Sequence, residues 1–127
     1  MRPLLIVDGA NVVGSVPDGW WRDRRGAAER LRDRLAPLAD EGVPGLPGPL
    51  EVVLVVEGAA RGVAPVDGVR IAEAPRSGDD LIAELAAEAG RAGRSCAVVT
   101  ADRELRGRVR AEGATTLGPR TVYPPPA

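Results

Sequence analysis

The chain has 127 residues, of which 44% are hydrophobic and 28% are charged, a balance typical of one globular domain rather than of a disordered chain. Seventeen basic residues, all arginine, oppose eighteen acidic ones, and the net charge of −1 indicates no overall preference for polyanions. Histidine is absent and Cys96 is the single cysteine, which excludes histidine-dependent nucleophiles and an internal disulfide. We expect Cys96 to be a buried, reduced thiol.

The first apolar run begins almost at Met1, so we expect no signal peptide. No apolar run approaches the length of a membrane span. These features predict a cytoplasmic protein with no membrane partner.

The first predicted element is a buried strand that runs from Leu4 and ends at Asp8 and Gly9. We interpret residues 9–19 as a loop, because glycine and proline interrupt any regular pattern there. A helix is predicted over residues 20–41, with one apolar face that includes Leu31 and Leu35. Pro37 should kink or shorten this helix, and residues 42–49 have the composition of a linker.

Residues 51–57 predict the clearest strand, a β-branched run between breakers. Residues 58–68 predict a loop with one helical turn at its start, followed by a shorter strand over 69–73. That connection is short for parallel neighbours, so the pairing of these two strands stays open.

The remaining elements alternate between helices and strands. We predict helices over 79–90 and 103–112 and strands over 96–100 and 115–117. Residues 119–127 form a proline-rich tail that we expect to be extended or frayed, which leaves residues 1–118 as the domain.

This order of elements predicts a three-layer α/β fold with a mostly parallel sheet of roughly five strands. The carboxyl ends of parallel strands meet at one edge, where α/β proteins bind ligands. Asp8, Asp79, Asp80 and Asp102 should converge there. Asn11, the only asparagine of the chain, lies three residues after Asp8.

Grouped carboxylates in a chain without histidine indicate a hard-cation site. Oxygen ligands suit Mg²⁺ or Mn²⁺, whereas zinc prefers the histidine and cysteine side chains that this chain lacks. Such carboxylate sites are usual in phosphodiester chemistry, where the metal activates water and offsets phosphoryl charge.

Three motifs carry a resemblance to a known family: DGANVVGS after a strand, GDDLIAEL at the start of a helix, and VVTADREL after another strand. Together they resemble the NYN domain of the PIN-like nuclease superfamily, in particular small bacterial members related to the YacP-like group. The resemblance extends over residues 4–118. It implies the three-layer α/β/α PIN-like fold, with Mg²⁺ or Mn²⁺ as cofactor and RNA, single-stranded or structured, as substrate.

The resemblance also assigns roles to individual residues. It implies that a metal-activated water cleaves RNA and leaves a 5′-phosphate, and that Asn11 shapes the site. PIN-like domains often pair, so a homodimer is an open possibility. The implied metal ligands are Asp8, Asp79 or Asp80 (with Asp79 the better match), and Asp102.

A fourth acidic residue is common in PIN-like nucleases, and this chain offers no unambiguous counterpart. Glu57, at the end of the second long strand, is the nearest candidate, and Glu73 stands behind it. If neither reaches the metal, substrate phosphates would have to complete the site.

Each site residue also has a purely structural interpretation. Asp8 begins an Asp-Gly turn pair, and Asn11 can bond its own backbone. Asp80 completes a capping box with Ser77, and Asp102 can cap the following helix.

Substrate contacts are predicted after the first loop and near the third strand end. One tryptophan of the pair at 20–21 should anchor the helix and the other should be exposed for stacking on bases. Arginines at a helix amino end oppose the helix dipole, which favours a phosphate contact, although a solvated charged face is the commoner arrangement. The candidate substrate-binding residues are Thr100, Trp21, Arg22, Arg25 and Arg103.

The carboxylates indicate metal-dependent phosphodiester chemistry, and the resemblance implies that the protein is a metal-dependent ribonuclease. The alternative is an RNA-binding or protein-interaction module on the same fold with weak or no catalysis. A nucleotide phosphatase is a weaker third possibility, because the chain lacks a glycine-rich phosphate loop.

Overall fold

The fold is built on a five-stranded parallel sheet, seen in a computed structural model that describes residues 1–123. Strand β1 (Leu4–Asp8) continues into helix α1 (Gly9–Gly14), and helices α2 (Arg24–Leu35) and α3 (Leu38–Glu41) follow. A short antiparallel hairpin, β2 (Gly42–Val43) and β3 (Leu46–Pro47), leads to the main-sheet strands β4 (Glu51–Val56) and β5 (Val69–Glu73).

The second half of the chain alternates between helix and strand. Helix α4 (Gly78–Arg91) precedes β6 (Cys96–Val99), and α5 (Arg103–Ala111) precedes β7 (Thr115–Leu117). Short 3₁₀ turns occupy Trp20–Arg22, Gly58–Ala60 and Pro119–Thr121.

The strand order is β5-β4-β1-β6-β7, and all neighbours in this sheet are parallel. This confirms the predicted parallel sheet of about five strands. It also settles the pairing that the sequence left open, because β4 and β5 are parallel neighbours despite the short connection between them.

Alternate residues of β1 face opposite layers of helices. Leu5 and Val7 share a core with α1 and α2, whereas Leu4 and Ile6 share a core with α4 and α5. The three central strands, β1, β4 and β6, are buried on both faces, which explains their continuous apolar sequences. The result is the predicted three-layer α/β/α arrangement.

Three predicted segments differ in the structure. Residues 9–19 begin with α1 rather than a loop, because the Asp8 carboxylate accepts the Asn11 N–H at 3.3 Å and caps the helix. The single helix predicted over 20–41 is instead a 3₁₀ turn, α2 and α3. Asp23 caps α2 through the Gly26 N–H at 3.0 Å, and Pro37 separates α2 from α3. The predicted linker over 42–49 contains the β2–β3 hairpin.

The segment after β7 packs onto the domain. Pro119–Thr121 forms a 3₁₀ turn, and Val122 and Tyr123 are buried in the same core as α2. The Arg34 guanidinium lies 4.9 Å from the centre of the Tyr123 ring. The expectation of an extended or frayed tail is therefore wrong for residues 119–123, while residues 124–127 lie outside the described part.

Two further expectations concern the thiol and membranes. Cys96 is buried and unpaired, as expected, and burial raises the pKa of its thiol to about 11. Within residues 1–123, no helix is both long and apolar enough to cross a membrane.

Candidate active site

Four carboxylates line one cleft of about 280 Å³ at the carboxyl edge of the sheet. We call it the acidic cleft. It lies beside the boundary between β1 and β6, which is the topological switch point of the sheet: β4 and β5 lie on one side of β1, and β6 and β7 lie on the other. Open α/β sheets bind ligands at this position. The lining residues are Asp8, Ala10, Asn11, Glu57, Asp79 and Asp102.

Asp8 is the most buried of these carboxylates, with 5% of its surface exposed. Its Oδ2 accepts the Thr100 hydroxyl at 2.9 Å, and its Oδ1 accepts the Asn11 N–H at 3.3 Å. Burial raises the pKa of Asp8 to about 6, and the charges of Asp79 and Glu57 add to this effect, while the two hydrogen bonds oppose it. Asp8 is therefore a carboxylate kept charged at neutral pH against the cost of burial.

Asn11 and Thr100 connect β1 to the loop after β6. The side-chain oxygen of Asn11 accepts the Ala101 N–H at 2.8 Å, and the Thr100 hydroxyl oxygen accepts the Asp102 N–H at 3.1 Å. Asp102 in turn accepts the Leu105 N–H at 2.9 Å and caps α5. Asp102 thus has the helix-capping role that its structural interpretation predicted, whereas Asp8 caps a helix where a turn was predicted. Both residues also line the cleft.

Glu57 is the fourth carboxylate of the cleft. It follows β4 directly, and its Oε2 accepts the Gly78 N–H at 3.1 Å. A Cβ atom on Gly78 would lie 3.3 Å from Glu57 Oε1, so the glycine permits this close approach of α4. Glu73, the other candidate, is exposed and binds the Gly62 N–H outside the cleft. The sequence signal that identifies Glu57 is its position directly after a buried apolar strand, which is similar to the position of Asp8 at the end of β1.

The adjacent residues Asp79 and Asp80 have different surroundings. Asp79 lines the cleft, and its pKa is raised by partial burial and then by the charges of Asp102 and Glu57. Asp80 has 73% of its side chain exposed and forms an ion pair with Arg108 at 3.1 Å. Ser77 caps α4 through the Asp79 N–H at 3.1 Å. The structure therefore places Asp80 outside the acidic cleft, contrary to its predicted convergence with the other aspartates.

The predicted substrate-binding residues do not line the cleft. Thr100 is fully buried, so it orients Asp8 and Asp102 and is not placed to contact substrate. Trp21 is 53% exposed and Trp20 packs against the core, as expected for one exposed and one anchoring tryptophan. Arg22, Arg25 and Arg103 are exposed, and Arg103 is the first residue of α5, directly after Asp102.

Arg106 has a positioning role that the sequence did not indicate. Its Nε donates to the Thr100 carbonyl at 2.8 Å, so it holds the end of β6. Arg110, which shares its helix, donates to the Thr116 hydroxyl at 2.7 Å. Both arginines are thus hydrogen-bonded to other elements of the domain.

The oxygen-only donors of the cleft fit a hard cation such as Mg²⁺ or Mn²⁺. The supporting observation is that four carboxylates line one cleft. Burial is the main cause of the raised pKa of Asp8 and Asp79, and neighbouring negative charge, which a cation would offset, adds to it. Across residues 1–123, however, no three acidic, histidine or cysteine side chains are arranged as a complete metal site. The cleft therefore suits a cation held by one or two carboxylates, with water and phosphate as further ligands.

Comparison with known proteins gives a match in structure only. No family model matches the chain, and no curated protein matches it. A structure of Rae1 (YacP) from Bacillus subtilis is similar with a TM-score of 0.69 and 21% identity, over 95% of this chain and 71% of that one. A single-residue mutant of Rae1 gives a TM-score of 0.72 and 21% identity, over 95% and 72%. This chain therefore has the fold of Rae1 (YacP), the group that its motifs resemble.

Proposed function

We propose that this protein is a metal-dependent ribonuclease that hydrolyses RNA phosphodiester bonds with Mg²⁺ or Mn²⁺ as its cofactor. The observation that carries the proposal is the acidic cleft, where four separate elements bring Asp8, Glu57, Asp79 and Asp102 together. A cluster of carboxylates repels RNA unless a cation offsets its charge, so the cleft is better suited to metal-assisted chemistry than to direct phosphate binding. The YacP-like fold supports this class of function by analogy.

We assign two kinds of role at the cleft: some residues bind the metal ion, and others position the residues that bind it. Asp8 and Asp79 are the proposed metal ligands, and Asp102 and Glu57 complete the negatively charged lining of the cleft. When bound, the metal ion supplies an activated water and offsets charge on the transferring phosphoryl group. Thr100 holds Asp8 and the Asp102 backbone in fixed relation.

RNA contacts outside the cleft belong to exposed cationic and aromatic side chains. Arg103 begins α5 beside Asp102 and is a proposed phosphate contact. The Arg22 guanidinium lies 5.8 Å from the centre of the Trp21 ring, and Arg25 is exposed on the next turn. Stacked aromatic and guanidinium groups bind unpaired bases without sequence preference. These residues would hold the strand, and none of them is required for the chemical step.

Cleavage of an end-labelled single-stranded RNA in Mn²⁺ tests the proposal. We expect Asp8→Asn to lower the rate at least about 100-fold, since even the outer-shell partners of metal ligands cost 10- to 100-fold. Asp80→Asn is the matched control, because Asp80 is exposed and lies outside the cleft. The product should carry a 5′-phosphate. Full activity in Asp8→Asn would rule out this site.

The second candidate function is an RNA-binding or protein-interaction module with weak or no turnover. It is favoured by the lack of a complete three-ligand group within residues 1–123 and by the net charge of −1. Tight RNA binding without cleavage in Mg²⁺ or Mn²⁺ would support it. Multiple turnover that depends on Asp8 would exclude it.

A further inference from the structure

A second cavity, of about 200 Å³, adjoins the acidic cleft. We call it the Trp20 pocket. Ala10 and Glu57 line both the Trp20 pocket and the acidic cleft, so a ligand that occupies both sites would contact these two residues. Most of its surface is apolar, in contrast to the cleft beside it. Its walls include Ala10, Val13, Trp20, Arg24, Val56 and Glu57.

One wall of the pocket is the planar ring of Trp20, with the guanidinium of Arg24 over that ring. Trp20 is half-buried and packs against the core, and its Cζ2 would lie 3.7 Å from a Cβ atom on Gly14. The Trp21 ring meets it edge-to-face with centroids 5.9 Å apart. The Arg24 guanidinium carbon lies 5.4 Å from the centre of the Trp20 ring. The ring is thus held from several sides and needs little reordering to receive a flat ligand.

The size of the pocket limits its ligand. Pockets for drug-sized molecules usually measure about 300–1,000 Å³, and the Trp20 pocket is smaller. Its volume suits a single planar ring system. Aromatic rings and guanidinium planes are the surfaces on which proteins stack unpaired bases.

We propose that the Trp20 pocket binds one unstacked nucleobase of the RNA strand whose phosphate enters the acidic cleft. The phosphate part rests on the proposed ribonuclease function, whereas base binding does not require catalysis. The Glu57 carboxylate and the Arg24 guanidinium at the pocket wall offer an acceptor and donors to the polar edge of a base. An apolar protein side chain would desolvate these two charges without hydrogen-bonding them. The pocket therefore favours a nucleobase over an apolar residue of a protein partner.

The test is a titration of the ¹⁵N-labelled protein with adenosine, cytidine, uridine and, as the control, ribose. EDTA is present throughout, so that metal-dependent cleavage plays no part. We expect the nucleosides, but not ribose, to shift the Trp20 indole N–H and the backbone amides of Ala10, Val13 and Gly58. Absence of these shifts at the solubility limit of all three nucleosides would overturn the proposal. So would shifts produced by N-acetyl-leucinamide when the nucleosides produce none, because the pocket would then suit a protein side chain.

Variants locate the binding surface. Trp20→Ala should raise the Kd for the nucleoside about fivefold to 150-fold through loss of stacking, and Trp20→Phe should retain most of the affinity. Because Trp20 also packs in the core, Arg24→Ala at an exposed position gives a second test, with an expected rise of about twofold to fivefold. Arg30→Ala, an exposed arginine of the same helix outside the pocket, is its control. Equal effects of Arg24→Ala and Arg30→Ala would contradict the proposal.

The outcome is separable from that of the ribonuclease proposal. Nucleoside binding in the Trp20 pocket by a protein that cleaves no RNA would leave the pocket assignment standing and reject the nuclease. Cleavage that depends on Asp8, without any nucleoside binding in the pocket, would do the reverse.

Discussion

The buried hydroxyl of Thr100 donates to Asp8 Oδ2 at 2.9 Å, a contact that joins residues 92 positions apart in the chain. The same oxygen accepts the Asp102 N–H at 3.1 Å. One side chain without exposed surface therefore sets the relative position of two cleft carboxylate residues. It is a positioning residue behind the site.

Thr100→Val should retain the shape of the side chain and remove both hydrogen bonds. We expect a loss of about 1–3 kcal/mol in the free energy of unfolding, because buried polar groups lose their partners. The pKa of Asp8 should rise further above its present value, since the hydroxyl lowers it. Calorimetric titration should show Mn²⁺ affinity about 10- to 100-fold weaker. Thr116→Val, a threonine on the edge strand β7, is the control and should leave Mn²⁺ affinity unchanged.

Asp8→Asn should gain stability relative to the wild type as the pH rises, while it removes activity. The pKa of Asp8 is raised from 3.8 to about 6 in the folded state. Because the folded state binds this proton more tightly than the unfolded state does, the protonated carboxyl does not destabilise the fold below pH 3.8. The free energy of unfolding then falls as the pH rises from the unfolded pKa through the folded pKa. The charged carboxyl therefore costs up to about 3 kcal/mol near pH 7.5 and under about 1 kcal/mol near pH 4, a penalty that asparagine does not carry.

Urea unfolding of the wild type and Asp8→Asn at these two pH values measures that difference. We expect the advantage of Asp8→Asn to grow as the pH rises. If the difference in free energy of unfolding between Asp8→Asn and the wild type is the same at both pH values, burial does not raise the pKa of Asp8.

Mn²⁺ should raise the melting temperature of the wild type, because a ligand that binds only the folded state stabilises it. The increase should disappear in Asp79→Asn and persist in Asp80→Asn, since only Asp79 lines the cleft. Differential scanning fluorimetry with and without Mn²⁺ measures both variants. An equal loss in the two would mean that both carboxylates reach the cation and that the placement of Asp80 outside the cleft is wrong in solution.

Asn11→Ala should loosen the loop after β6. The side-chain oxygen of Asn11 is the acceptor for the Ala101 N–H at 2.8 Å, and its loss should cost about 1 kcal/mol of stability. Asn11→Asp keeps an acceptor at the same position, so it should retain the loop but raise the pKa of Asp8 by adding negative charge. Urea unfolding combined with an NMR titration of Asp8 separates the two effects. If both variants lose the same stability, the hydrogen bond to Ala101 is not what Asn11 contributes.

Gly9→Ala should destabilise the domain severely. A Cβ atom on Gly9 would lie 2.5 Å from the Val55 carbonyl oxygen, which belongs to the neighbouring strand and cannot move aside cheaply. Gly107→Ala is the matched change in an exposed stretch of α5 with no atom within 4 Å of the added Cβ. It should stabilise the protein by about 0.5–1 kcal/mol. Urea unfolding of both variants checks the contrast, and similar stabilities would show that α1 shifts to accommodate the methyl group.

Much of the layered fold was predictable because buried parallel strands carry a local signal. β5 and β7 have the predicted bounds, and β4, β6, α4 and α5 differ from prediction by one residue at one or both ends. Contiguous β-branched runs and helical periodicity depend on neighbours in the chain, so they need no knowledge of tertiary contacts. Errors fell where capping decides the outcome, as at Asp8, whose side chain begins α1 directly from the strand end.

The helix periodicity of α4 distinguishes Asp79 from Asp80. Asp79 is three and seven residues before Ile82 and Ala86, the buried face of α4, so it turns with them toward the sheet. Asp80 lies on the adjacent exposed face, where Arg108 of α5 binds it. The capping motif, which gives Asp80 a structural role, and the helix periodicity both indicate Asp79 as the residue that faces the cleft.

By itself, the sequence determined the parallel α/β layers, the position of Asp8 at a strand end and of Asp102 at a helix start, and the absence of histidine chemistry. Each of these follows from composition or from short-range patterns. Tertiary structure decided that Glu57 joins the cleft, that Thr100 is buried behind Asp8, that residues 119–123 pack onto the core and that Trp20 and Arg24 form a pocket beside the carboxylates. These relationships join distant segments. They depend on how whole elements pack, which no pattern of neighbouring residues contains.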